Sequence, residues 1–495
     1  MAANASSSTT WRGVNLGGWL VLERWMAPGL FEENAPPEAG DELSLLRLGG
    51  ERAGKAVERF RESFVTEEDF RWLRHVAGLN AVRLPLGFWC LAEHACGTPY
   101  LPTSVFVDRV FDWAEAYQLR VILDLHGAAG SQNGQHHSGE GGGQPRWLRG
   151  EHRATNLNVL RAWAARWGKR EAFLGLGLGN EVAEPDPDEE RLCDGSSPLG
   201  RLLLGACCEN EAGGGRDDTG GYWDEVAAFY ADAAALCRPL LRPDALLVID
   251  TCWDACRWDD SRLQAVPGPL LLDYHHYECM GDAHPVDEHC QAEDLSDALL
   301  EKDVLAPPLV IGEFSLALQP ESEGYADENW QQRFFERQSQ LASQHGAGWF
   351  FWNYKIAREG WPHWSFRECV ERGWIPAAAS VRSHEPSENE VHENSRPAEV
   401  RLLHDSSHGL CKASSDADDV LNDVTEVYVD VNAEVATADL EKHLVQIENE
   451  SSTAEEAASL QEAQRKWLPG LRCIPCVSGV LARLALRRAR ESGKL

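Results

Sequence analysis

The feature that most constrains this chain is a set of eight short apolar runs spaced along its first three quarters. They are GVNLGGWL from Gly13, AVRLPLGF from Ala81, RVILDLHG from Arg120 and FLGLGLGNEV from Phe173. LLVID from Leu246, LLLDYHHY from Leu270, LVIGEFSL from Leu309 and GWFFWNYK from Gly348 complete the set. Continuous apolarity, rather than alternation, marks strands covered on both faces, as in a parallel sheet. Between the runs, Thr103–Tyr117, Leu157–Trp167, Tyr222–Leu236 and Trp330–Ser343 carry apolar residues at helical spacing. Strands alternating with helices in this number predict an α/β fold, a (β/α)8 TIM barrel enlarged by insertions. A doubly wound open sheet is the competing arrangement, but no GxGxxG or P-loop follows any of the runs.

A barrel of this kind carries its chemistry where strands end and loops begin. The polar residues stand there: His126, then Asn180 and Glu181, then His275 and Tyr277, then Glu313. Strand alternation puts His275 and Tyr277 on one face and turns His276 away. Glu181 and Glu313 belong to the fourth and seventh runs, so only a closed fold brings them together. Two carboxyls flanking one bond are what glycoside hydrolysis needs. A structural salt bridge is the alternative for either one. The His and Cys residues show no HExxH or comparable spacing, so no metal and no cofactor is expected.

Charge narrows the partners. With 46 Lys+Arg against 79 Asp+Glu, the net charge is −33, which argues against nucleic acid and against anionic substrates. Neutral ligands remain, and the 19 Trp include more than enough to cover sugar faces after core packing has taken most of them. The charge is unevenly spread. Residues 385–463 hold 20 acidic and 4 basic residues, with one Tyr and neither Phe nor Trp, and read as a disordered acidic tail. Residues 464–495 carry a net +7, and Val477–Arg490 has the pattern of a basic amphipathic helix, solvated or docked on a membrane surface or partner. No partner for the tail is identified. No stretch reaches the roughly 18 apolar residues of a membrane span, and MAANASSSTTW lacks the pattern of a secretory signal. The 14 Cys are scattered, with a single CxxC at Cys473 and Cys476, and leave the compartment open.

Several longer motifs resemble a known family. RGVNLGGWLVLERWM (Arg12–Met26), VRLPLGFW (Val82–Trp89), DLHGAAGSQNG (Asp124–Gly134), GNEV (Gly179–Val182), DYHHY (Asp273–Tyr277), GEFS (Gly312–Ser315) and FWNYK (Phe351–Lys355) occur in its order. WSFRECVERGWIP (Trp364–Pro376) resembles its closing segment. The family is glycoside hydrolase family 5, and within it the chain looks most like the fungal-type exo-β-1,3-glucanases. The resemblance implies a catalytic TIM barrel over 8–380, followed by the acidic tail at 385–463 and the basic segment at 464–495.

The resemblance also implies roles. Glu181 would be the general acid/base and Glu313 the nucleophile of a retaining mechanism on β-1,3-glucan or a β-glucoside. Asn180 would hold the sugar 2-hydroxyl, and Arg83 would keep Glu313 ionised. His275 and Tyr277 would orient the nucleophile, Trp352 would floor the sugar site, and Glu23 and His126 would line it. Charge on Glu313 is then expected to raise Glu181, while Arg83 lowers Glu313. Another neutral β-glycan (β-1,4-glucan, a mannan, a glycolipid) and a non-catalytic sugar-binding barrel are the alternatives. The family's habit is an extracellular or cell-surface location. The chain departs from the family at Gln135-His136-His137, where an aromatic, Asp and Asn are usual. It also inserts a Gly- and acid-rich stretch from Glu184 to Gly221.

Overall fold

In a computed structural model, described here over residues 10–185 and 221–377 apart from short stretches within 256–306 and 327–329, eight parallel strands close into a barrel in sequence order. The strands are β1 (Trp11–Asn15), β2 (Ala81–Gly87), β3 (Arg120–Gly127), β4 (Phe173–Gly177), β5 (Leu246–Asp250), β6 (Leu270–His275), β7 (Leu309–Phe314) and β8 (Gly348–Phe351). All eight apolar runs are strands, and β8 pairs back onto β1 to close the ring. The acidic tail, the basic end with its CxxC, and most of the insertion after Glu184 lie outside the described residues. No helix among the described residues is long and apolar enough to cross a membrane.

The first run needs adjustment. Its strand occupies Trp11–Asn15, and LGGWL turns away, because Gly18 takes φ +63 and lets the chain bend over the barrel mouth. The four helical patterns form helices at Ser104–Ala116, Gly150–Trp167, Gly221–Cys237 and Trp330–His345. Two further helices, Glu42–Phe64 and Glu67–His75, fill the long connection before β2. Each begins with a capping box: Asp41 with Ser44, and Thr66 with Asp69. The longer one breaks its helical path at Gly50, which has φ +54.

The connection is held to the barrel from inside. Glu42 and Arg61, both fully buried, form an ion pair at 2.6 Å. Arg61 also donates to the carbonyls of Trp19 and Leu20, while Glu42 accepts the Leu22 N–H, so each charge has further partners. Asp69 ties the shorter helix to the segment after β8, accepting from Tyr354, Lys355 and Arg367.

Inside the barrel, side chains stack in two layers. Ala81, Ile122, Leu174, Val248, Leu271, Val310 and Phe350 form an apolar floor. Two residues further along the same faces stand Arg83, Asp124, Asp250, Asp273, Gly312 and Trp352, and then His126 and His275. A period of two residues thus turns a packed floor into a polar mouth at the carboxyl ends of the strands. Glycines make the room: a Cβ on Gly312 would overlap the Asp273 carboxylate, and one on Gly177 would overlap Asp124.

Candidate active site

Arg83 is the centre of the polar layer. Its guanidinium, 1% exposed, lies 2.7 Å from Glu313 Oε1, 3.1 Å from Asp124 Oδ2 and 3.3 Å from Asp273 Oδ2. It also donates to Asn15 Oδ1 and Asn180 Oδ1, at 3.0 and 2.7 Å. The surrounding carboxylates outweigh burial and raise its pKa, so it stays charged.

Glu313 accepts a second hydrogen bond, from the Tyr277 hydroxyl at 2.8 Å. Glu181 stands across the mouth. Its Oε1 accepts from His275 Nδ1 at 2.8 Å, and the same nitrogen lies 3.6 Å from Glu313 Oε2. Ligand atoms of Glu181, His275 and Glu313 all fall within 4.8 Å of one another. Glu181 is the more exposed of the two carboxyls, 15% against 4%, which puts it on the solvent side of the pair. Its backbone is held in the left-handed region, φ +47, with its N–H donated to Asp250 Oδ2 at 2.7 Å.

The other expected residues converge on the same pocket. Asn180 is fully buried; its Oδ1 is taken by Arg83, and its Nδ2 has no partner. His126 donates Nδ1–H to Asp124 at 3.0 Å and leaves Nε2 without a partner. Its ring stacks beside Trp352, with centroids 5.5 Å apart and planes 11° from parallel. Glu23 accepts from Trp25 Nε1 at 2.8 Å. Burial raises its carboxyl to about 8 against that hydrogen bond, with repulsion from Glu313 and Glu181 adding to the rise.

The charges of the central pair are opposite to the expectation from sequence. Burial raises Glu313 to about 8, although His275 and Arg83 pull the other way, and the Glu181 charge adds to the rise. Burial would raise Glu181 too, but the His275 hydrogen bond and the His137 and His275 charges outweigh it and hold it at about 2. The physical reason is His275. Burial alone would lower its pKa, but Glu313, Asp250 and Asp273 outweigh this and raise it well above its ordinary value, so it is an imidazolium and donates to Glu181. The two carboxyls titrate as a coupled pair, with Glu181 the stronger acid and Glu313 the weaker.

Several residues at the site were not picked out in the sequence. Asp124, Asp250 and Asp273 sit inside apolar strands, and Asp124 and Asp273 stand two positions before His126 and His275, a spacing that could have revealed them. Trp25, Trp361 and Trp364 form an aromatic wall: the Trp25 ring is 6.1 Å from Trp361 and 5.1 Å from Trp364, and Tyr277 is 5.6 Å from Trp364. Trp25 follows β1 whereas Trp361 and Trp364 share the segment after β8, so no periodic signal links all three. His137 reaches Glu181 Oε2 at 3.5 Å, whereas His136 packs against Gly40 and Gly141, facing Asp41.

Comparison with known proteins identifies the family and the fold. The family described as Cellulase (glycosyl hydrolase family 5) matches residues 50–358. The Probable glucan 1,3-beta-glucosidase A of Aspergillus terreus is 29% identical over 418 residues, spanning 75% of this chain and 89% of that protein. The Glucan 1,3-beta-glucosidase of Blumeria graminis is 28% identical over 416 residues, spanning 75% and 88%. The crystal structure of the rutinosidase from Aspergillus niger shares the fold, with a TM-score of 0.55 and 18% identity over 74% of this chain and 98% of that one. The chain is a glycosidase belonging to glycosyl hydrolase family 5.

Proposed function

We propose that the chain is a retaining glycosidase that cleaves β-1,3-glucosidic bonds in neutral glucans, with Glu313 as nucleophile and Glu181 as acid/base. The observation that carries this reading is the approach of the Glu181 and Glu313 carboxyls to within 4.8 Å. Retaining enzymes hold their carboxyls about 5–5.5 Å apart, whereas inverting enzymes leave room for a water at about 6.5–9.5 Å. The names of the glucan 1,3-β-glucosidase relatives support the linkage. The catalytic unit spans 8–380 in this reading, and the acidic tail and basic end follow it.

In the first step a Glu313 oxygen bonds to the anomeric carbon as the glycosidic C–O bond breaks. Glu181 gives its proton to the departing oxygen. In the second step water attacks the same carbon, Glu181 takes the water's proton, and the bond to Glu313 breaks. The first step needs the shared proton on Glu181, whereas burial and the His275 hydrogen bond to Glu181 favour it on Glu313. His275 Nδ1 lies between the two carboxyls, so it can give its proton to Glu181 Oε1 and recover one from Glu313 Oε2. Asn180 Nδ2, buried and unpartnered, is the donor for the sugar 2-hydroxyl, and His126 Nε2 faces the sugar likewise. Trp352 supplies the apolar floor.

The test is an assay of the full chain on laminarin, cellulose-derived oligomers and aryl β-glucosides, with products followed by NMR. Laminarin turnover with the β-anomer as first product is expected. Turnover restricted to β-1,4 oligomers would move the assignment to another neutral β-glycan. Absence of turnover on the whole panel would leave a sugar-binding barrel instead.

A further inference from the structure

Asn180 and Glu181 are consecutive, yet both side chains enter the same pocket. Asn180 Oδ1 meets Arg83 at 2.7 Å, and Glu181 Oε1 meets His275 Nδ1 at 2.8 Å. Consecutive residues of an extended chain point to opposite sides. The alternation is broken at Glu181, whose φ of +47 is left-handed. A residue with a Cβ keeps that conformation only where its surroundings hold it.

Two side chains hold it, one on each side of its α-carbon. Asp250 Oδ2, at the end of β5, accepts the Glu181 N–H at 2.7 Å, and Asn133 Nδ2 donates to the Glu181 carbonyl at 3.1 Å. The other Asp250 oxygen, Oδ1, accepts the Cys252 N–H at 2.7 Å, and Cys252 is left-handed as well, with φ +51. One buried carboxyl thus joins the loops after β4 and β5 through a left-handed residue in each. We propose that Asp250 is a positioning residue for the acid/base: its hold on the Glu181 N–H keeps the left-handed turn that brings the Glu181 carboxyl into the pocket beside Asn180. The role rests on the assignment of Glu181 as the acid/base.

Asp250 also carries a field, which has to be told apart from its grip on the backbone. His275, from β6, has Nε2 3.7 Å from Asp250 Oδ2, and Asp273 and Glu181 are the negative charges facing it. A change of field alone alters how these groups titrate, so it displaces a limb of the pH–rate profile and keeps the plateau. Release of the N–H lets the Glu181 carboxyl leave its place, so it lowers the plateau itself. Only a reaction that needs a proton from Glu181 suffers from that displacement.

The experiment compares pH–rate profiles of the full-length chain and its Asp250→Ala variant on two substrates. Departure of the phenol from phenyl β-glucoside needs the acid, whereas departure of 2,4-dinitrophenolate from its β-glucoside does not. With Glu181 out of place, the plateau of kcat/KM on the phenyl glucoside should fall about 10²-fold. The plateau on the dinitrophenyl glucoside should be nearly unchanged. Asp250→Leu, which fills the space but accepts no hydrogen bond, replaces the Ala variant if that chain does not fold. A loosened barrel would slow both glucosides alike, and a lost charge would displace a limb and keep the plateau. Either outcome, or a profile like the parent's, would overturn the role of Asp250 while leaving the glycosidase reading intact. No turnover of either glucoside by the parent chain would remove both.

Discussion

Arg83 reaches across the barrel from β2 to grip Glu313 on β7 at 2.7 Å, with both side chains almost wholly buried. This contact fixes one Glu313 oxygen and, with Tyr277 on the other, aims the carboxyl at the space beside Glu181. A carboxyl bound so tightly on both oxygens is suited to attack from a fixed position.

If Glu313 is the nucleophile, Glu313→Ala loses several orders of magnitude in kcat on aryl β-glucosides. Added azide then occupies the vacated space and yields a glycosyl azide of inverted configuration. NMR of the product is the measurement. Recovery of activity with the retained azide would assign the nucleophile elsewhere.

Glu23 links the site to stability. Its carboxyl rises from an ordinary 4.5 to about 8 on folding, chiefly through burial. The native chain therefore binds this proton more tightly than the unfolded chain. The resulting stabilisation is complete below about pH 4.5 and is lost as pH rises through about 8, at up to ~1.4 kcal/mol per pH unit for one proton. Glu313, raised likewise, contributes a slope of the same sign. Glu23→Gln should make the fall of Tm between pH 5 and 8 shallower. Parallel Tm curves for the two proteins would contradict the buried, protonated Glu23.

The ion pair of Glu42 and Arg61 gives a separate test of the connection before β2. Arg61→Ala leaves Glu42 buried without its counter-charge and opens three hydrogen bonds to Trp19, Leu20 and Leu101. Destabilisation of about 3–5 kcal/mol is expected in denaturant unfolding. A loss below about 1 kcal/mol would mean that the pair is solvated, as surface pairs are.

Gly312 tests the polar layer. A methyl group there overlaps the Asp273 carboxylate, which pairs with Arg83. Gly312→Ala should cost about 1–3 kcal/mol as an overpacked core does, and should lower kcat more than it raises KM, because Glu313 is the next residue. Unchanged kinetics and stability would show that Asp273 moves aside without consequence.

The barrel was legible because its strands are apolar on both faces and its polar residues cluster at one end of each. Glu181, Glu313, Asn180, His126, His275 and Tyr277 could be read from position alone, since each stands at or just past a strand's end. Arg83, Trp352 and Glu23 took their roles from the family motifs. The helices Glu42–Phe64 and Glu67–His75 were passed over although their capping residues are plain, since no strand pattern bracketed them closely. The direction of the Glu181 and Glu313 shifts was also not legible. It depends on which carboxyl oxygen His275 Nδ1 meets, a distance that residue order does not carry. His137 stood out as a departure from the family, but its approach to Glu181 depends on the course of its loop, which residue order does not carry.

The polar layer has one further consequence. Around the sugar site it sets the carboxylates of Asp124, Asp250, Asp273 and Glu181 against Arg83 and the imidazolium of His275, while Glu23 and Glu313 are held in the acid form by burial. A largely buried mouth richer in carboxylates than in cations is an electrostatic well for positive charge. A sugar ring is neutral on arrival, and acquires positive charge only as its glycosidic bond stretches toward an oxocarbenium ion. The well therefore deepens along the reaction while leaving the resting substrate unmoved, and a ligand bearing a fixed cation in place of the anomeric carbon would feel its full depth from the start.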